Sequence, residues 1–189
     1  MSPHRSEFEP LPGEHNPRGT TGDTESGGET TTPVEGFTVA AGEGERVWFV
    51  ADTLIYKATA ENTGGSFAVI ECITTPGGGP PPHIHTNEDE FWTVLDGTFE
   101  ITIGGATHAV GPGDFAFGPR GIAHSFRNTA DTPSRILLGF IPGGIEGFFR
   151  ESGQPATNNG PAPAIDDAEI ARMMLAAPKY GIVLIGPDA

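Results

Sequence analysis

The sequence predicts an all-β barrel of short antiparallel strands, preceded by a disordered acidic tail and followed by a short helical segment. Three observations lead there. From Phe37 onward, short runs of β-branched and aromatic residues recur at intervals of about ten residues, the rhythm of a sandwich or barrel. Gly and Pro are abundant, 28 and 18 of 189 residues, while hydrophobic residues make up only 36% of the chain, which suits turn-rich β structure with a tail better than a helical bundle. The links between runs are short and rich in Gly, Pro, Asn and Asp, so neighbouring strands are expected to run antiparallel.

Taken in chain order, residues 1–36 hold only four apolar side chains, Met1, Phe8, Leu11 and Val34. Such a segment cannot bury enough surface to offset its ordering entropy, so it is expected to be a disordered tail that solvates the chain. Residues 37–189 are expected to form one domain. Strands are expected near Arg46–Val50, Leu54–Thr59, Ser66–Thr74, Glu90–Leu95, Phe99–Ile103, Thr107–Val110, Phe115–Phe117, Ile122–Arg127 and Ser134–Phe140. Gly104-Gly105 supplies the positive φ angles of a tight hairpin, and Asp96-Gly97, Gly111-Pro112-Gly113 and Asp131-Thr132-Pro133 mark further reversals. A C-terminal extension covers 142–189; within it Asp166 caps a helix that runs through Ala168, Ile170, Met173, Met174 and Ala177 and ends near Gly181. Met173 and Met174 read as core filler where this helix packs on the barrel.

Charge and cysteine usage exclude several function classes. With 25 Asp and Glu against 10 Lys and Arg, the net charge is −15, and the few basic residues are scattered, which excludes a nucleic-acid partner. No apolar run approaches the length of a membrane span, and the first residues lack the apolar stretch of a secretory signal. The single cysteine, Cys72, has no internal disulfide partner, in keeping with a reducing, cytoplasmic setting.

The chemistry is expected at three of six histidines. His4 and His15 fall in the tail, and His108 stands alone in a strand. His83 and His85 follow Pro80-Pro81-Pro82, which blocks helix, and in an extended strand residues two apart share a face. Glu90 is at an odd offset from His85, but Thr86-Asn87-Glu88-Asp89 reads as a solvated turn that resets the chain direction. His124 shares a face with Ile122, Phe126 and Asn128, in a barrel whose inward faces meet. Imidazole nitrogen and carboxylate oxygen suit borderline divalent metals, and four such ligands leave about two octahedral positions open.

These residues stand in two spaced motifs. G-x5-H-x-H-x4-E-x6-G reads Gly77, His83, His85, Glu90 and Gly97, and G-x5-P-x-G-x2-H-x3-N reads Gly113, Pro119, Gly121, His124 and Asn128. The motif region, 77–128, resembles the cupin superfamily, and the stretches around it are similar to its quercetin-dioxygenase-like single-domain members. The resemblance implies a jelly-roll-type β-barrel, a homodimer, and one divalent transition metal per chain (Fe, Mn, Ni, Co, Cu or Zn) held by His83, His85, Glu90 and His124. It further implies an oxygenase acting with dioxygen on an enolic or phenolic aromatic small molecule, with Glu90 as the catalytic base. The family's non-redox cyclases, isomerases and lyases, and its non-enzymatic binding modules, are the alternatives.

Expected pocket walls are Trp92, which strand parity puts on the Glu90 side in preference to Phe91, together with Phe99, Phe117, Phe126, Phe140 and Phe148. Arg120 and Arg127 are expected on the surface, and Asn128 is expected to organise its own turn.

Overall fold

A computed structural model describes residues 34–186 of the chain. Of the tail expected over residues 1–36, only Val34–Gly36 fall within that range, and they are exposed; the rest lies outside the described residues. The elements are β1 (Arg46–Phe49), β2 (Asp52–Ala58), α1 (Ala60–Thr63), β3 (Ala68–Thr74), β4 (His83–His85), β5 (Asp89–Asp96), β6 (Phe99–Ile103), β7 (Ala106–Val110), β8 (Phe115–Gly118), β9 (His124–Asn128), β10 (Ser134–Ile141), α2 (Glu146–Ser152), β11 (Gln154–Pro155), α3 (Asp167–Ala176), a 3-10 turn (Ala177–Tyr180) and β12 (Ile182–Leu184).

The strands form two antiparallel sheets. The larger has the order β11-β1-β2-β3-β10-β5-β8 and the smaller β12-β4-β9-β6-β7. Alternation along each strand sets what faces inward. On the larger sheet Glu90, Trp92 and Val94 of β5 lie in register with Phe140, Leu138 and Ile136 of β10, which oppose Ala68, Ile70 and Cys72 of β3. All of these side chains are buried. The smaller sheet contributes Phe99 and Ile101 of β6 and His124 and Phe126 of β9 to the same interior. Inward residues of two sheets thus make one core, as the alternation in the sequence requires.

Two elements begin or end elsewhere than expected. The strand expected from Ile122 begins only at His124, because the turn at Pro119 reaches further: the Ile122 N–H donates to the Pro119 carbonyl at 3.2 Å. At the other end of the chain, Asp166 caps α3 as expected, its carboxylate accepting from the Glu169 N–H at 2.7 Å. That helix stops at Ala176, and the 3-10 turn carries the chain to Gly181, whose φ of 69° ends it. Met173 is buried against the barrel, but Met174 is 58% exposed on the other side of the helix, so only one of the pair is core filler.

The β1–β2 hairpin carries strain. Phe49 pairs with Asp52, so Val50 and Ala51 are the two central residues of the turn, at φ of 53° and 62°. Asn and Gly usually occupy such positions, and a β-branched residue there is sterically disfavoured. The conformation is pinned from outside: the Val50 N–H donates to Oε1 of the buried Glu169, in the first turn of α3, at 2.7 Å. The turn delivers Asp52 into the interior, only 4% exposed. Its carboxylate accepts from the Thr75 N–H at a long 3.4 Å and has the Cys72 thiol 3.7 Å away. Burial pushes this carboxyl up to about 7, and the contacts to Thr75, Thr74 and Cys72 only partly oppose it.

Asn128 closes the β9 end of the core. Its amide donates to the carbonyls of Thr74, Thr75 and Thr132, and its oxygen accepts from the Ala130 N–H and the Ser134 hydroxyl, at 2.9–3.2 Å. The residue is 1% exposed, so no water replaces these partners. Asn128→Ala is expected to lower unfolding stability by about 2–4 kcal/mol in chemical denaturation, because five partners lose a buried bond together.

Asp52 generates a second expectation. Below pH 4 its carboxyl is protonated in both folded and unfolded chains; between pH 4 and 7 the unfolded carboxyl ionises while the folded one does not, so stability falls over that window and levels off above it. Asp52→Asn removes this contribution. Its melting temperature, compared with the parent's, is expected to gain steadily from pH 4 to 7 and no further above; parallel profiles would show a carboxyl that burial does not perturb.

Candidate metal centre

The two sheets bring four ligand atoms to one point. β4 presents His83 and His85 on the smaller sheet, and β9 places His124 directly opposite His83 in register. The segment Thr86–Glu88 then carries the chain across to the larger sheet, where Glu90 is the second residue of β5. Candidate donor atoms of His83, His85, Glu90 and His124 all lie within 4.8 Å of one another. The Nε2 atoms of His83 and His85 are 3.1 Å apart, and Glu90 Oε2 stands 3.3 Å from His85 Nε2 and 3.0 Å from His124 Nε2.

Each imidazole is aimed from behind. His83 Nδ1 lies 2.9 Å from the Pro81 carbonyl, and His124 Nδ1 lies 2.9 Å from the Ile122 carbonyl. With Nδ1 donating to those carbonyls, the Nε2 lone pair of each ring points at the common centre, the arrangement by which metal-binding histidines are held. His85 Nδ1 faces Glu88 Oε2 at 3.6 Å. Glu88 is buried, 5% exposed, so the reading of Thr86–Asp89 as a wholly solvated turn is corrected at this residue; nothing in its sequence context distinguishes it from a surface acid. Behind His124 stands Trp92, their rings edge to face at 5.2 Å. Gly118 makes room for that packing, since a Cβ there would come within 2.7 Å of the indole.

The electrostatics call for a cation. Glu90 Oε2 and His124 Nε2 are fully buried, and despite their 3.0 Å approach neither makes a hydrogen bond. Burial pushes the Glu90 carboxyl up, but His124 and His85 outweigh it and hold the group at about 2. Burial also opposes protonation of His85, yet Glu88 and Glu90 together raise it to about 9. Burial and then the charge of His85 drop His83 to about 4. Three imidazole nitrogens and a carboxylate oxygen gathered within 4.8 Å, with Glu90 Oε2 and His124 Nε2 buried and unpartnered, fit a divalent transition metal.

A cavity opens beside these ligands, with about 640 Å³ of empty space when the solvent at its mouth is included. His83, His85 and Glu90 lie on its wall, and the rest is mainly apolar, with Leu138, Phe149 and Ile182 among the lining side chains. Of the expected pocket residues, Phe126, Phe140 and Phe148 line it. Trp92, Phe99 and Phe117 do not. Trp92 has the expected parity, but Gly118 and His124 occupy its face, and Phe99 is fully enclosed by the core at 0% exposure. Phe117 projects from the outer face of the edge strand β8, 51% exposed. Phe49, Asp52 and Phe149 line the cavity without having been expected there, because the strained hairpin and helix α2 that place them show no Gly-type turn or helix cap in the sequence, and Met173 of α3, expected as core filler, lines it as well. Arg120 pairs with Asp89 at 2.9 Å and Arg127 with Glu100 at 2.8 Å, both at the surface, and His108 is exposed.

Comparison with known proteins follows the same lines. The family model described as Cupin domain matches residues 71–140. The chain is 29% identical over 119 residues to quercetin 2,3-dioxygenase of Bacillus subtilis (strain 168), covering 63% of this chain and 35% of that protein. It is 30% identical over 89 residues to protein SchB of Streptomyces halstedii, covering 47% of this chain and 63% of that protein. The chain thus spans less than two thirds of the length of either relative. Among solved structures, KdgF from Halomonas sp. superposes with a TM-score of 0.52 at 18% identity, over 60% of this chain and 98% of that one. No helix among the described residues is long and apolar enough to cross a membrane. With its motif histidines and glutamate gathered between the two sheets of a jelly-roll barrel, the chain carries a cupin domain over residues 71–140 and has the cupin fold.

Proposed function

We propose that the chain is a metal-dependent cupin oxygenase whose substrate is a flat enolic or phenolic small molecule and whose co-substrate is dioxygen. The observation that carries this reading is the convergence of three imidazoles and a carboxylate, with Glu90 Oε2 and His124 Nε2 buried and unpartnered, beside an apolar, aromatic-walled cavity. The resemblance to a quercetin dioxygenase supports the choice of reaction. His83, His85, Glu90 and His124 would hold one divalent ion per chain. A redox-active ion bound there supplies a Lewis acid for an enolic hydroxyl and an electron path to dioxygen.

The chain's own residues do the rest. Phe126, Phe140, Phe148 and Phe149 receive the aromatic body and keep water from it. Glu90, on the cavity wall, takes the proton of the enolic hydroxyl as general base.

Glu90→Ala and His124→Ala are each expected to lose metal content by at least tenfold and to abolish turnover while keeping the circular dichroism of the barrel; full metal content and activity in both variants would remove the site assignment. Elemental analysis of protein purified without added metal, followed by oxygen-electrode traces with flavonols on the same sample, tests the reaction. Redox metal near one per chain with substrate-dependent oxygen uptake is the expected result. Zinc without oxygen uptake would replace it with Lewis-acid chemistry such as cyclisation, isomerisation or elimination.

A further inference from the structure

The ligand end of the cavity accounts for His83, His85 and Glu90, which leaves Asp52 and Cys72 as the polar residues of its lining that the centre does not use. Asp52 sits on β2, three strands from Glu90 on β5, with β3 and β10 between them. Strand spacing accounts for about 14 Å across the strands, and the register sets Asp52 about six residues further along them than Glu90, so the two acids share only the cavity that both line. The wall between is apolar, built from Leu54, Leu138 and Phe140. The cavity therefore has two polar ends and a greasy middle.

At the Asp52 end each carboxyl oxygen has a partner, but only at long range. A buried carboxylate ordinarily has a cation or several short hydrogen bonds, and this one has a 3.4 Å contact to the Thr75 N–H, a thiol at 3.7 Å and the nearby Thr74 hydroxyl. No Lys or Arg lines the cavity. The residue is also held there at a cost, since the hairpin that delivers it has Val50 and Ala51 at positive φ and depends on Glu169 of α3 to stay in place. Strain and an under-partnered buried acid at one position are what a binding site retains against stability.

We propose that Asp52 is a substrate-binding residue whose carboxyl accepts a hydrogen bond from a hydroxyl at the end of the substrate remote from the metal ligands. This rests on the reading of the cavity as a site for flat aromatic chelators, and it narrows the substrate class to those with a second donor at the far end: a chelating oxygen edge toward Glu90, an aromatic body between the phenylalanines, and a phenolic hydroxyl at Asp52. A site built to pair a substrate hydroxyl rejects the analogue lacking it far more strongly than an apolar pocket rejects an extra group.

The test uses the full chain loaded with metal and two probes, 3-hydroxyflavone and its 4′-hydroxy derivative, which share the chelating edge and differ by one hydroxyl at the opposite end. Binding is measured by quenching of tryptophan fluorescence, with metal content and melting temperature recorded for every variant. The parent protein is expected to bind the 4′-hydroxy probe at least tenfold more tightly. Asp52→Leu is expected to abolish that preference and Asp52→Asn to reduce it, both at unchanged metal content. Equal affinity of the parent for the two probes, or a preference that survives Asp52→Leu, overturns the assignment of Asp52 and leaves the aromatic reading standing. Failure of the metal-loaded parent to bind either probe overturns both.

Discussion

A carboxylate and three imidazoles meet inside a barrel, and the two that approach most closely across the sheets do not satisfy each other. Glu90 Oε2 and His124 Nε2 approach to 3.0 Å without a hydrogen bond, and both atoms are sealed from water. Desolvating such groups is expensive unless something replaces the lost water, so the surrounding structure must hold them at fixed separation against their tendency to relax apart. The register of β4 with β9, the carbonyls of Pro81 and Ile122, Glu88 behind His85 and the indole of Trp92 behind His124 all serve that one requirement. The two-sheet architecture matters because ligands from opposite sheets can surround a point, whereas those on one sheet face can only line it.

The same interior shows how a barrel divides its buried polar groups by task. Asn128 finds five partners and contributes cohesion, its hydrogen-bonding capacity used up within the turn and strand ends it joins. Glu146, equally buried, spends its carboxylate on the N–H groups of Ala60 and Gly144 and ties α1 to the loop before α2. The metal-centre residues differ because Glu90 Oε2 and His124 Nε2 have no partner, and Asp52 differs because its contacts are long.

Much of this was legible in the chain before any coordinates. Alternation and turn residues located β6, β7, β10 and the core strand β5 to within two residues, because those strands each have one wet and one dry face or sit between clear Gly and Asp reversals. The ligand set was legible because a metal site must repeat one chemistry at spacings the strands can bring together. What escaped has a common cause in tertiary override. Val50 reads as the end of a strand, and its positive φ is held by the Glu169 contact from a helix more than a hundred residues later. Helix α2, with glycines on either side of its start and no side-chain cap, is stabilised by packing Phe148 and Phe149 against Phe49. Cavity lining was half legible for a related reason: parity decides which face a phenylalanine takes, as with Phe126 and Phe140, but not whether a neighbour such as Gly118 draws the ring of Trp92 away from the open space.

The smaller sheet ends with β12, which pairs with β4 along the strand that holds His83 and His85, Ile182 opposite His85 and Leu184 opposite His83. Order of synthesis gives this pairing a meaning that geometry alone does not. The four ligands have all been made once His124 is added, whereas Met173, Ile182 and Leu184, which wall the cavity beside them, come later. A growing chain therefore displays its ligands before it can enclose them. Met173, Ile182 and Leu184 thus complete the enclosure of the site and not its ligand set, so the C-terminal segment governs how open the four ligands are to solvent.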